Sequence, residues 1–273
     1  MRAAVRRAAV SFLVAGCALA CARGAPAGSA PAPAPRAAPA AVPVRVLAVH
    51  PHDPEAFTQG LLWYGGHLYE STGLYGRSSV REVEVETGHV LRRTDLPEEE
   101  FGEGLARVGE RLIQLTWREE TANVWSLGDL VLGGTFEYRG EGWGLTFDGR
   151  DLIQSDGSAL LSFRSPTDFH LERTLPVRRA GRAVPYLNEL EWVDGSVYAN
   201  VWQSDEVVRI DPRSGEVTGT WDASGLLDSE QRAAADVLNG IAWNPDKKVF
   251  YLTGKLWPSL FEVELPEPAP AAR

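Results

Sequence analysis

Phe57-Thr58-Gln59-Gly60-Leu61-Leu62-Trp63-Tyr64-Gly65-Gly66-His67-Leu68-Tyr69-Glu70-Ser71-Thr72-Gly73 reads as one hairpin: two β-prone runs on either side of a Gly-Gly turn. The plan returns four times. Glu103-Gly104-Leu105, Trp143-Gly144-Leu145, Asn188-Glu189-Leu190 and Asn239-Gly240-Ile241 open the later copies, which turn at Gly109-Glu110, Asp148-Gly149, Asp194-Gly195 and Asn244-Pro245-Asp246. The Leu/Ile member recurs at intervals of roughly 44, 40, 45 and 51 residues, the length of a four-stranded propeller blade. Two more strand-like runs follow each hairpin, clearest at 80–86 and 90–96 around Thr87-Gly88. The chain is therefore expected to be all-β, a five-bladed β-propeller. Its fifth unit stops one strand short, at Phe261-Glu262-Val263-Glu264-Leu265, and residues 42–49 have the length and alternation to fill that open edge. An N-terminal strand should thus close the last blade. The longest interval holds one short helical insertion within 225–238, capped by Asp228 or Ser229.

The 273 residues are 44% hydrophobic and 23% charged, a globular composition. A net charge of -10 without basic clusters excludes nucleic acid as a partner. Arg2, Arg6 and Arg7 precede an apolar run at 8–16 that is too short to span a bilayer and resembles a signal peptide. Val14-Ala15-Gly16-Cys17 resembles a bacterial lipobox. Residues 1–16 thus read as a lipoprotein-type signal peptide, and Cys17 as the lipidated start of a periplasmic, membrane-anchored chain. A plain signal peptide cut after Ala20 or later is the alternative. Cys17 and Cys21 both lie in the leader, so the body has no disulfide, thiol nucleophile or thiolate metal site. Residues 22–41 are almost entirely Ala, Pro, Gly and Arg and cannot bury enough surface to order themselves. The division expected is a disordered tether at 17–41, a propeller at 42–265 and a flexible tail at 266–273, acting as a monomer that meets the membrane only through a lipid anchor.

The repeat places side chains. Two positions before the Leu/Ile stand Gln59, Glu103, Trp143, Asn188 and Asn239, and at the end of the returning strand stand Gly73, Trp117, Gly157, Trp202 and Lys255. A hairpin brings its first and last residues to one end, so both sets should ring one mouth of the central channel. Amides, indoles, one carboxylate and one ammonium suit a small ligand pocket. Blander roles exist: the indoles could pack between blades, Asn188 and Asn239 could satisfy turn backbone, and Lys255 could be solvated. Glu103, between Gly102 and Gly104, is not what a strand uses for stability, which points to function. Trp63, Trp192 and Trp243 are assigned to the core. His50, His52, His67, His89 and His170 are scattered and supply no zinc cluster, with His50 and His52 in an ordered turn.

The runs His52-Asp53-Pro54-Glu55-Ala56-Phe57-Thr58-Gln59-Gly60-Leu61, Phe101-Gly102-Glu103-Gly104-Leu105, Gln114-Leu115-Thr116-Trp117, Gly142-Trp143-Gly144-Leu145-Thr146, Leu187-Asn188-Glu189-Leu190-Glu191, Asn200-Val201-Trp202 and Leu252-Thr253-Gly254-Lys255 closely resemble the plant and bacterial type of glutaminyl cyclase. The match keeps order and blade register over about 46–265. It implies an enzyme that closes the N-terminal glutamine of peptides or proteins to pyroglutamate and releases ammonia. It also implies a site lined by Phe57, Gln59, Glu103, Trp117, Trp143, Asn188, Trp202 and Lys255, without requiring Asn239. No cofactor or metal is expected. Glu103, the single carboxylate of the ring, is the expected general acid/base. Lys255, an indole N–H of Trp143 or Trp117 and the amides of Gln59 and Asn188 all remain candidates for the oxyanion. A non-catalytic periplasmic propeller that binds a peptide or sugar is the competing reading. A metal-dependent lactonase-type propeller is a third.

Overall fold

The structure, a computed structural model, describes residues 40–268; the leader with Cys17 and Cys21, most of the tether and the last five residues lie outside the described residues. Blade 1 comprises Thr58–Tyr64, His67–Thr72, Ser79–Glu84 and Val90–Asp95; blade 2 comprises Gly102–Val108, Arg111–Thr116, Thr121–Ser126 and Leu132–Glu137. Leu145–Phe147, Leu152–Gln154, Leu160–Arg164 and Leu171–Pro176 form blade 3, and Leu187–Val193, Ser196–Val201, Glu206–Ile210 and Val217–Asp222 form blade 4. Blade 5 is Leu238–Asn244, Val249–Gly254 and Ser259–Glu264, completed by Arg45–Pro51. The five first strands neighbour one another in cyclic order, so they line the axis of a five-bladed β-propeller.

Inner strands are covered by both neighbouring blades and outer strands by little, and burial follows. The run from Thr58 to Leu62 is buried without interruption, whereas Val90–Asp95 alternates between half-buried and exposed. The recurring glycine beside each Leu permits closure of the ring. A Cβ on Gly60 would lie 2.5 Å from Leu105 N, one on Gly104 2.4 Å from Leu145 N, and one on Gly144 2.0 Å from Asn188 O. Blade 4 breaks the rule with Glu189, whose carboxylate reaches across to the next blades. Its oxygens accept from Leu61 N at 3.2 Å and Ile241 N at 2.8 Å, two donors on strand edges that face the axis. Glu191, one pleat further, accepts from Trp243 N at 2.8 Å. Burial pushes both carboxyls up, Glu191 to about 8.

Closure of the ring uses more than one blade edge. Arg45–Pro51 runs antiparallel to Ser259–Glu264, as the short fifth unit requires. Val42–Pro43, expected in the same strand, instead pairs parallel with Val217–Asp222 of blade 4. The segment splits because an outer strand splays from its neighbour as the sheet twists, so a chain crossing the gap meets both. Pro266 and Glu267, assigned by sequence to the flexible tail, are held on blade 4 by Trp221 Nε1 at 2.7 Å and by Arg209. His50 lies within the closing strand rather than in a turn. Buried His52 meets two acceptors, Trp257 O at 2.7 Å and Glu70 Oε1 at 3.1 Å, and thereby ties blade 5 to blade 1. The inserted helix is Ser229–Ala234, with Asp228 as N-cap in a capping box.

Trp63, Trp192 and Trp243 correct a further expectation. Each is only half-buried, packing one side on a core cluster and turning the other to a cavity of about 610 Å³ at the mouth formed by the hairpin turns.

Candidate active site

The opposite mouth, where the inner strands begin, holds a cavity of about 880 Å³. Phe57, Gln59, Glu103, Trp117, Trp143, Asn188, Trp202 and Lys255 all line it, together with Gly157. Hairpin register explains this convergence: Leu187 pairs with Val201 and Leu238 with Gly254, which sets the strand starts beside Trp202 and Lys255.

Glu103 is 4% exposed. Its Oε1 accepts from Gln59 Nε2 at 2.9 Å, and Oε2 takes no hydrogen bond from the described residues. Burial pushes this carboxyl well above the usual range; the Lys255 ammonium pulls it back, and Glu141 and Glu119 add to the rise. Lys255 is 6% exposed, with Nζ 4.9 Å from the Phe57 ring centroid, and burial lowers its pKa against the opposing pull of Glu103. Among the described residues the two groups form no ion pair within 4.0 Å, and both line the cavity. Asn188 is buried, and its Oδ1 has no hydrogen-bond partner. Leaving a buried acceptor without a partner is costly.

Aromatic edges form the walls. Phe101 stands between Phe57, at 6.1 Å, and Trp117, at 5.5 Å, and Trp143 meets Trp202 at 5.6 Å and 83°. Gly157, at φ +77°, makes room for Trp143, whose Cζ2 would lie 2.6 Å from an added Cβ. Gly73 is not part of the lining and makes room behind it, since an added Cβ would fall 2.3 Å from the Phe101 ring.

The glutamine cyclotransferase family model matches residues 14–265 of the sequence. The chain belongs to the glutamine cyclotransferase family. It is 46% identical over 229 residues to the glutaminyl-peptide cyclotransferase of Arabidopsis thaliana, covering 81% of this chain and 71% of that protein. Among solved structures it is similar to the glutaminyl cyclase of Myxococcus xanthus, with a TM-score of 0.75 and 39% identity over 83% of this chain and 97% of that one.

Within this cyclotransferase fold, Asn239 supports the site from behind rather than lining it. Its Nδ2 donates to Thr58 O at 3.0 Å and to Gln59 Oε1 at 3.1 Å. That bond leaves the Gln59 Nε2 end directed at Glu103, so Asn239, Gln59 and Glu103 form a relay of oriented groups. Glu103 is also not the single carboxylate at this mouth: Glu141, Asp156 and Asp236 line the same cavity. Two residues before each predicted ring position stand Phe57, already implied by the resemblance, and Phe101, Glu141, Tyr186 and Val237, which were not expected, and all five line the cavity. They lie ahead of the first strands, Tyr186 at φ +66°, and bulges follow at the strand starts of blades 1, 2, 4 and 5, so no strand period reaches them. Among the described residues no group of three or more His, Cys, Asp or Glu is placed to hold a metal ion.

Proposed function

We propose that this chain is a glutaminyl-peptide cyclotransferase, acting on peptides or proteins with a free N-terminal glutamine by intramolecular aminolysis. The neutral α-amine attacks the carboxamide carbon of its own side chain, a C–N bond forms, the old C–N bond breaks, and ammonia leaves. The amine loses one proton and the departing nitrogen gains one, so a group able to give and take a proton is required. The observation supporting this reading is Glu103. It is a buried carboxyl biased toward its protonated form, fixed through one oxygen by Gln59, in a cavity with aromatic walls. One of its oxygens gives a proton to the leaving nitrogen while the other receives the proton of the amine.

The donors for the oxyanion narrow by elimination. The indole N–H groups of Trp117 and Trp143 are both taken by Glu141, and Gln59 Nε2 gives one of its two N–H groups to Glu103. Lys255, the Asn188 amide and the second N–H of Gln59 remain, and all three residues line the cavity. The aromatic walls hold the flexible side chain folded, where proximity can supply several kcal/mol of the barrier. Only the first residue of a peptide need enter the mouth.

Incubation of the purified protein with a glutaminyl dipeptide should release ammonia in step with the pyroglutamyl product. Binding of the dipeptide without ammonia would make the chain a non-catalytic propeller instead. The reading extends to the address: the basic and apolar leader supports export, and Gly16-Cys17 supports a lipidated Cys17 on the periplasmic side. Mass spectrometry of the mature N-terminus should find acylated Cys17; an unmodified terminus beyond Cys21 would refute the anchor.

A further inference from the structure

Glu141 has no part in the proton transfer just described, yet its contacts are the most convergent at this mouth. Its Oε2 accepts from Trp117 Nε1 at 2.9 Å and from Trp143 Nε1 at 3.0 Å, so one oxygen ties two walls built from different blades. Its Oε1 accepts from Arg118 Nε at 3.0 Å, and the Arg118 guanidinium lies 3.7 Å from the centroid of the Trp117 ring. The backbone is fixed as well: Gln154 Nε2 donates to Glu141 O at 3.2 Å, and Gly142 N to Trp117 O at 3.0 Å. Its side chain is 37% exposed, at the rim rather than in the core. Glu141 precedes the Leu145–Phe147 strand and belongs to no strand itself, and the two indoles whose N–H groups it accepts both line the cavity.

We propose that Glu141 is a positioning residue of this site, a carboxylate clamp that fixes the indoles of Trp117 and Trp143 as opposed walls and is itself oriented by Arg118. The inference rests on the cyclase reading for its kinetic part, while the clamp has a readout of its own. A second consequence follows from charge. The charged groups that line the cavity with Glu103 are Lys255, Arg118, Glu141, Asp156 and Asp236, and of these Lys255 and Glu141, with Glu119 nearby, act on its carboxyl. Burial is the main cause of the raised Glu103 pKa, and the Glu141 charge, at the rim of the same cavity, adds to it.

Two substitutions separate clamp from charge. In Glu141→Gln a carbonyl oxygen still accepts from both indoles, but the charge is gone; in Glu141→Ala neither remains. With a glutaminyl dipeptide, Glu141→Ala should lower kcat/KM by about 10- to 100-fold, the scale expected when reacting groups are displaced by an ångström. Glu141→Gln should recover most of that loss, and the alkaline limb of its kcat profile should move to lower pH as Glu103 ionises more readily. Near-UV circular dichroism should change in Glu141→Ala and be retained in Glu141→Gln, with thermal unfolding near wild type in both. A kcat/KM for Glu141→Ala within about twofold of wild type, or an unaltered near-UV spectrum, overturns the clamp. An unshifted pH profile in Glu141→Gln overturns the charge role. If wild type released no ammonia, the cyclase reading would fail and the spectra alone would decide the clamp.

Discussion

Replacement of Glu103 by Gln is the sharpest perturbation available, because the site retains nearly everything except the titrating proton. Gln59 Nε2 now donates to Glu103 Oε1 at 2.9 Å, and an amide oxygen in the same place accepts that bond equally well. The cavity volume and the aromatic walls are unchanged by an isosteric swap. What disappears is a group able to protonate the leaving nitrogen, a contribution of about 10² to 10⁴ in turnover, or about 2.7 to 5.5 kcal/mol of barrier. Folding should not suffer. The folded-state pKa of Glu103 lies above its unfolded value of about 4.3, so the native state binds the extra proton and loses stability as pH rises through that window. A neutral amide escapes this loss, so Glu103→Gln should be at least as stable as wild type at neutral pH. The assay is steady-state ammonia release from a glutaminyl dipeptide, with urea unfolding as control. Turnover should fall in the stated range with KM little changed. In wild type the rate at low substrate should rise through the amine pKa of about 7.7 to 8.0. Retention of more than about a tenth of wild-type turnover by a folded Glu103→Gln variant would show that the proton travels by another route.

Glu189→Gln should cost about 1–3 kcal/mol in urea unfolding, because an amide N–H would confront the Leu61 or Ile241 N–H that a carboxyl oxygen now accepts; equal stability would remove Glu189 from the closure of the ring. Although burial opposes charge on His52, Glu70 and the Trp257 carbonyl hold its pKa above the usual value, so its contribution is complete below about pH 6.5 and fades as pH rises through the folded value. Wild type should therefore lose its stability advantage over His52→Gln in that direction, and a constant advantage across pH would refute the charged latch. Deletion through Pro51 removes the strand paired with Ser259–Glu264 and should cause aggregation, whereas deletion through Pro39 should leave melting and solubility intact; identical behaviour of the two would contradict the closure described. Ammonia release should survive strong chelation, and activity lost to a chelator and restored by zinc, with the fold intact, would establish a metal requirement.

The sequence by itself determined the five units, the closing edge and, apart from Phe57, which the family resemblance supplied, the residues first assigned to the site. Those features rest on local rules: the two-residue period of a strand, the residues a tight turn demands, and the register a hairpin imposes between its first and last positions. A repeat copies that local geometry around an axis, so the convergence of Gln59, Glu103, Trp143 and Asn188 followed from counting alone. Phe101, Glu141, Tyr186 and Val237 were not legible in this way, because they precede the first strands, where bulges at the strand starts and the positive φ of Tyr186 break the two-residue period. Tertiary structure alone decided which of these side chains meet. The Glu141 oxygen between two indoles, Asn239 turned behind Gln59, Glu189 crossing the axis in place of a glycine, and the split of residues 42–49 between two blades all depend on distances between different blades. Those distances are set when the ring closes, by side-chain rotamers and blade twist acting together. No spacing along the chain encodes them, because residues that share a position in the repeat face different neighbours in each blade.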